Sequence, residues 1–299
     1  MVELFLLLGL GYFLYRIHII DDDFNKKLTN FIFMVTTPFM VLNAVLTTTT
    51  YKSISTVLFV LLIAVIMYAI FPFVGLLIAK VLRTPHNQMG LYIFMTVFSN
   101  IGFVGYPVVR SIFGNGAIFY TSLFCMIFNI AVFTLGMYLI NIGSANKASI
   151  EWKYLITPGV IASFIALIFY FFHVHFPPVL TSTTGTIGNL TTPLAMIVIG
   201  VTLAQIPVKE VFNELRVYPY TLLKQVLFPI LAYPVLSYFI ADKLILGVSL
   251  VMVAMPVGSS AVLFTNQYGG DSGLAAKTIF MTTLFSIITI PFIVALFLA

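Results

Sequence analysis

Residues 99–107 read SNIGFVGYP, and they interrupt an otherwise apolar stretch running from Gln88 to Phe113. Glycine lets a backbone leave the helical path, and proline removes a donor and clashes with the preceding turn. A second stretch, MPVGSSAV at 255–262, sets Pro256, Gly258, Ser259 and Ser260 in the middle of another apolar run. In hydrocarbon each unpaired N–H or C=O costs on the order of several kcal/mol, so non-helical backbone persists only where protein or a watery cavity receives it. Two breaks at comparable depth therefore point to a shared cavity.

The rest of the chain supplies the membrane setting. Of 299 residues, 61% are hydrophobic and 8% charged, with a mean hydropathy of +1.12. That lies outside the range of soluble domains. Apolar runs of about 20 residues follow one another, the length a helix needs to cross a bilayer. A β-barrel would show short alternating segments instead. The longest polar stretches, Arg16–Lys27, Asn141–Lys153 and Gln205–Arg216, are loop-sized and leave no room for a soluble ATPase, kinase or receptor module. The opening MVELFLLLGLGYFLYR lacks a basic leader and is read as a retained span rather than a signal peptide.

The hydropathy pattern predicts ten spans, at 1–16, 27–47, 54–80, 88–113, 116–141, 154–174, 183–204, 218–240, 243–268 and 274–298. With the N-terminus outside, the inner loops and span ends hold ten basic residues: Arg16, Lys26, Lys27, Lys80, Arg83, Lys147, Lys153, Lys209, Arg216 and Lys277. The outer ones hold three, Lys52, Arg110 and Lys243. This positive-inside bias places both termini outside, in a multi-pass protein of the plasma membrane. The net charge of +5 is an orientation signal, not a nucleic-acid footprint, because the bases are scattered among loops.

TTPF at 36–39 and TTPL at 191–194 stand 155 residues apart, as do FGNG at 113–116 and YGGD at 268–271. Residue 156 then matches residue 1, which divides the chain into a first repeat at 1–144, a cytoplasmic connection at 145–155 and a second repeat at 156–299. Five spans per repeat make the second copy enter the bilayer upside down. Inverted repeats with interrupted helices at the midplane are a secondary-transporter architecture. The expected fold is thus all-α, with helices 4 and 9 broken and crossing.

The second half of a broken helix presents an N-terminus, with partial positive charge and unpaired N–H groups. Asn100, Gly102, Gly105 and Pro107 on one side, and Pro256, Gly258, Ser259 and Ser260 on the other, are the candidate substrate contacts. Their chemistry suits an anion, particularly a carboxylate. None of the nine acidic residues falls mid-membrane, which weakens coupling to sodium or a proton through a buried carboxylate. Lys224, in YTLLKQVLFP (220–229), is a charge within a span. It is either a cavity residue that draws the anion or a side chain whose long stem reaches the interface. Asn43 and Asn129 either line the pathway or join helices. Pro72, Pro229, Pro234 and Pro291 read as ordinary kinks.

Other chemistry finds little support. The lone Cys125 makes no intramolecular disulfide, and His173 and His175 have no third ligand nearby, so neither a metal nor a cofactor is expected. No acid, base and nucleophile converge, which argues against an enzyme.

The whole chain resembles the auxin efflux carrier family, which includes bacterial malate and malonate permeases and plant PIN-type carriers. The resemblance rests on YFLYRIHIIDDDFNKKLTNFIFMVTTPFMVLNAV (12–45), SNIGFVGYPVVRSIFGNG (99–116), LKQVLFPIL (223–231) and VAMPVGSSAVLFTNQYGGD (253–271). It implies a bile-acid-symporter-like fold, in which helices 1, 2, 6 and 7 form a scaffold that often dimerises. Helices 3–5 and 8–10 would form a mobile transport domain. It also implies a crossing at Pro107 and Pro256 and a substrate contact at Asn100, and it matches Lys224 to a basic residue that many members carry before the span 8 proline. At the span 9 crossover, where the plant carriers place polar side chains, this chain has Ser259 and Ser260, and no asparagine precedes Asn266. This departure points away from an auxin-like substrate. The expected function is elevator-type secondary transport of a small organic anion, such as the dicarboxylate malate, with a proton or sodium as candidate coupling ion. A sodium-coupled symporter of bile-acid type is the alternative, and a channel would be marked by currents above carrier rates.

Overall fold

Capping residues set where the helices begin. The Asp21 carboxylate accepts from the Phe24 N–H at 2.7 Å, which starts a helix five residues before the expected span. Thr157 accepts from the Val160 N–H in the same way, ahead of Pro158. Asp242 accepts from Leu244 and Ile245, and Asp271 from Leu274. Acids and hydroxyls at these positions satisfy N–H groups that have no helical partner.

The computed structural model describes residues 2–47, 53–140, 142, 157–174, 176–206 and 211–298. The cations Lys52, Lys147, Lys153 and Lys209, the connection at 145–155 and His175 lie outside the described residues. The helices are α1 (Val2–Arg16), α2 (Asp22–Leu46), α3 (Ile54–Val81), α4a (His86–Val97), α4b (Ile101–Phe113), α5 (Gly116–Ile140), α6 (Pro158–Phe171), α7 (Pro178–Gln205), α8 (Val217–Phe239), α9a (Lys243–Ala254), α9b (Ser260–Tyr268) and α10 (Ser272–Phe297). Among the described residues each segment expected as a span is helical, the fourth and ninth in two pieces. By length and composition six of them, α2, α3, α5, α7, α8 and α10, are able to cross a bilayer as single helices. On α3 the side chains of Leu58, Leu62, Ile66, Ile70, Phe73, Leu77 and Val81 are all exposed. Their spacing of three or four makes one continuous apolar face, which suits lipid and not water.

Three helices relieve a proline in one way. A π turn ends two residues before Pro38 in α2 (Ile32–Thr36), before Pro107 in α4b (Ile101–Gly105) and before Pro229 in α8 (Leu223–Leu227). The wider turn accommodates the missing N–H and the ring that would strike the preceding carbonyl. Pro72, Pro234 and Pro291 stay inside continuous helices, as kinks would.

The chain divides into two compact units. The first comprises Met1–Ala64, Gly102–Asn129 and Lys153–Gln205. Within it α1 packs on α7 and α6 packs on α2. Glycines make the first contact possible: a Cβ on Gly11 would lie 2.2 Å from the Ile197 carbonyl oxygen, and one on Gly200 would lie 2.0 Å from that of Leu8. The second unit comprises Val65–Ile101, Ile130–Trp152 and Ile206–Ala299. Its interior holds an aromatic cluster in which the Phe94 ring lies 4.7 Å from Phe98 and 5.0 Å from Phe264. Phe98 directly follows α4a, so this cluster anchors the break.

Candidate functional site

Both helix breaks lie inside the second unit, and their backbones pair with each other. The Asn100 N–H donates to the Pro256 carbonyl at 2.8 Å, and the Gly258 N–H donates to the Phe98 carbonyl at 3.1 Å. Ser99 and Val257 face each other between these bonds as an antiparallel pair. This is the wide pair of an antiparallel ladder, set between helices. Groups that each break would leave unpaired are thus satisfied by the other, which is the requirement for non-helical backbone at membrane depth. The Val257 N–H points out of the pair and donates to Thr282 Oγ1 of α10 at 3.2 Å.

Gly258 is required by this approach. A Cβ there would sit 2.9 Å from the Phe98 carbonyl oxygen and 3.3 Å from the Ser99 carbonyl carbon. In this ribbon Phe98, Ser99, Met255 and Val257 are almost fully buried. Access opens just beyond it, where Asn100 is partly exposed, Ser259 exposed and Ser260 partly exposed. Ser259 is the residue just before α9b, and no side chain caps that N-terminus. The Ser99 and Ser260 hydroxyls are buried with no hydrogen-bond partner.

Behind the ribbon stands the π turn of α8. Lys224 is 1% exposed, and its Nζ donates to the carbonyls of Val253 at 3.0 Å and Met255 at 3.1 Å. Its neighbour Gln225 donates through Nε2 to the Thr282 carbonyl at 2.8 Å. Lys224 does not reach toward an interface, then; it is turned inward onto the end of α9a. Both readings in the sequence left this out, because neither considered main-chain acceptors.

The structure brings together Asn100, Pro256, Gly258, Ser259, Ser260 and Lys224 in one unit. Gly102, Gly105 and Pro107 belong to the other. There Gly102 faces Phe33, whose ring lies 4.5 Å from that of Phe103, and Pro107 sits in the first turn after the π segment. The main-chain pairing falls at Phe98–Asn100 and Pro256–Gly258. Asn43 accepts from Thr184 Oγ1 at 3.4 Å and lies against Gly185, a helix-joining role within the first unit. Asn129 donates to the Cys125 carbonyl of its own helix. Among the described residues no cluster of His, Cys, Asp or Glu is arranged to hold a metal. Ser99, Gln225 and Thr282 were not singled out in the sequence. Their signal is faint, since small hydroxyl residues and a glutamine next to a lysine are common in such helices.

A family described as "Membrane transport protein" matches the chain over residues 1–151 and 147–294. The chain belongs to this family of membrane transport proteins. The resemblance to the auxin efflux carriers is thereby borne out. Among its relatives is an uncharacterized transporter of Methanocaldococcus jannaschii, 25% identical over 95% of this chain and 94% of that protein. A protein of Rhizobium meliloti named "Putative malonate transporter" is 24% identical over 75% of this chain and 71% of its own length. A PIN-LIKES protein of Arabidopsis thaliana is 26% identical over 33% of this chain and 22% of its own. As a membrane transport protein with apolar faces of this kind, the molecule is a multi-pass membrane protein.

Proposed function

We propose that this membrane transporter is a secondary carrier for a small organic anion, a carboxylate or dicarboxylate such as malate or malonate. The observation that carries the proposal is the paired break. It holds an uncapped helix N-terminus at α9b beside unpartnered hydroxyls on Ser99 and Ser260. Helix N-termini favour negative charge and offer N–H donors. Hydroxyls without a protein partner are costly to bury and become favourable when an oxygen-rich ligand takes them up. The name of the Rhizobium relative supports the same ligand class.

The proposed mechanism is alternating access of the elevator type, across ten passes arranged as two inverted repeats. Its supports are the equivalent packing of α1 on α7 and α6 on α2, and the grouping of these four helices in one unit, together with α4b and α5 as far as Asn129, while α8, α9 and α10 share the other. In this scheme α1, α2, α6 and α7 form a scaffold that pairs in a homodimer, and the remaining helices carry the anion through the plasma membrane. Both termini are outside. Gly102, Gly105 and Pro107 shape the second half of the broken helix, and Lys224 adds positive charge behind the crossing. Proteoliposomes test this: labelled malate or malonate should exchange, and Asn100→Ala should reduce the exchange about tenfold, the loss of one hydrogen bond to a charged group. Failure of malate, malonate and monocarboxylates to move would sink the reading.

A further inference from the structure

Lys224 occupies a place built for a cation. The carbonyls of Val253 and Met255 that accept from its Nζ lie at the C-terminal end of α9a, where helical pairing stops. That end of a helix carries partial negative charge. The ring of Phe228 presents its face to the nitrogen, 5.9 Å from the centroid, within the range of cation–π attraction. Among the described residues no carboxylate pairs with Lys224. In carriers with interrupted helices, carbonyls at a half-helix C-terminus are the groups that coordinate a coupling cation. Here a side chain reaches them first.

The surrounding bonds fix that side chain. The π turn Leu223–Leu227 sets Lys224 and Gln225 side by side in the interior. Gln225 is tied to the Thr282 carbonyl, and Thr282 Oγ1 accepts from Val257 in the ribbon itself. The ammonium, the ribbon and α10 thus form one connected network around the break.

We propose that Lys224 is a built-in cation: its ammonium fills a monovalent-cation site on the Val253 and Met255 carbonyls, so the crossing is assembled without sodium. Removing the side chain opens that site to a small free cation. The consequence for coupling rests on the carrier function proposed above, and it disfavours the sodium-coupled alternative. The site itself stands on geometry alone.

Thermal unfolding of the purified full chain in detergent tests it, at equal ionic strength in sodium, methylammonium or choline chloride. The wild type should melt at one temperature in all three. Lys224→Ala should melt several degrees lower in choline, and sodium or methylammonium should restore at least half of that loss. Lys224→Gln, which keeps the bulk without the charge, should be destabilised and not restored. Sodium-specific stabilisation of the wild type would overturn the proposal. So would a Lys224→Ala protein that no small cation restores beyond choline, or a Lys224→Gln protein restored equally well. If Lys224→Ala yields folded protein only when purified in a small cation, the proposal stands; if it folds in none, it falls. A purely structural lysine predicts destabilisation without cation rescue. Absence of malate and malonate flux, with this melting pattern intact, would remove the proposed function and leave the cation site in place.

Discussion

The main-chain N–H of Asn100 donates to the main-chain carbonyl of Pro256 at 2.8 Å, across 156 residues of sequence. One interrupted helix thereby completes the other. Disturbing either break should therefore be felt at both.

Gly258 is the tightest point of that contact. Its Cβ position lies 2.9 Å from the Phe98 carbonyl oxygen, a backbone atom that cannot rotate away. Gly258→Ala should destabilise the protein by about 1–3 kcal/mol, the usual result of forced overpacking. A lowered melting temperature in detergent would show it, and an unchanged one would mean the ribbon has room to spare.

Thr282 holds the outward-facing Val257 N–H through Oγ1 at 3.2 Å. Thr282→Val keeps the shape and removes the acceptor, which should cost about 1–3 kcal/mol for a buried donor left unpaired. Thr282→Ser should restore most of that loss, again read as a melting temperature.

Ser99 and Ser260 should behave in the opposite sense. Their buried hydroxyls lack partners, so Ser99→Ala and Ser260→Ala should leave the melting temperature unchanged or raise it. Exchange of malate or malonate in proteoliposomes should weaken about tenfold in KM, the value of one lost hydrogen bond to a charged ligand. Reduced stability with unaltered exchange would assign both hydroxyls to packing.

In the first unit the α1–α7 contact makes a paired prediction. Gly200→Ala places a methyl 2.0 Å from the Leu8 carbonyl oxygen and should cost about 3 kcal/mol or more. Gly9→Ala, with nothing within 4 Å of its Cβ position, should stay within about 0.5 kcal/mol of the wild type. Size-exclusion profiles and melting curves of the two variants should diverge accordingly.

Much of this arrangement was legible in the sequence. Long apolar runs fix where helices fall, and clusters such as Asn100–Gly102 and Pro256–Ser260 mark where helical pairing is abandoned. The partners of the freed backbone were not legible. Register between the breaks depends on which carbonyl each N–H meets, and that is decided by packing of Phe98 and the small volume of Gly258. Pro107 stands out of register with Pro256, which falls opposite Ile101 in the repeat, and its ring is absorbed by a local π turn. Lys224 looked like an interfacial or substrate-facing cation because an amino-acid string does not show main-chain acceptors. The starts of α2 and α7 fell five residues early for a similar reason: Asp21 and Pro178 extend helices into segments too polar to be read as span.

The central claim is that an anion binds where the two breaks meet. A cryo-EM structure of the full chain with malonate tests it most directly. The account predicts malonate density within hydrogen-bond distance of Ser260 Oγ or the first N–H groups of α9b, lost in Ser260→Ala. Malonate bound elsewhere in a transport-competent protein, with Ser259 and Ser260 untouched, would contradict it.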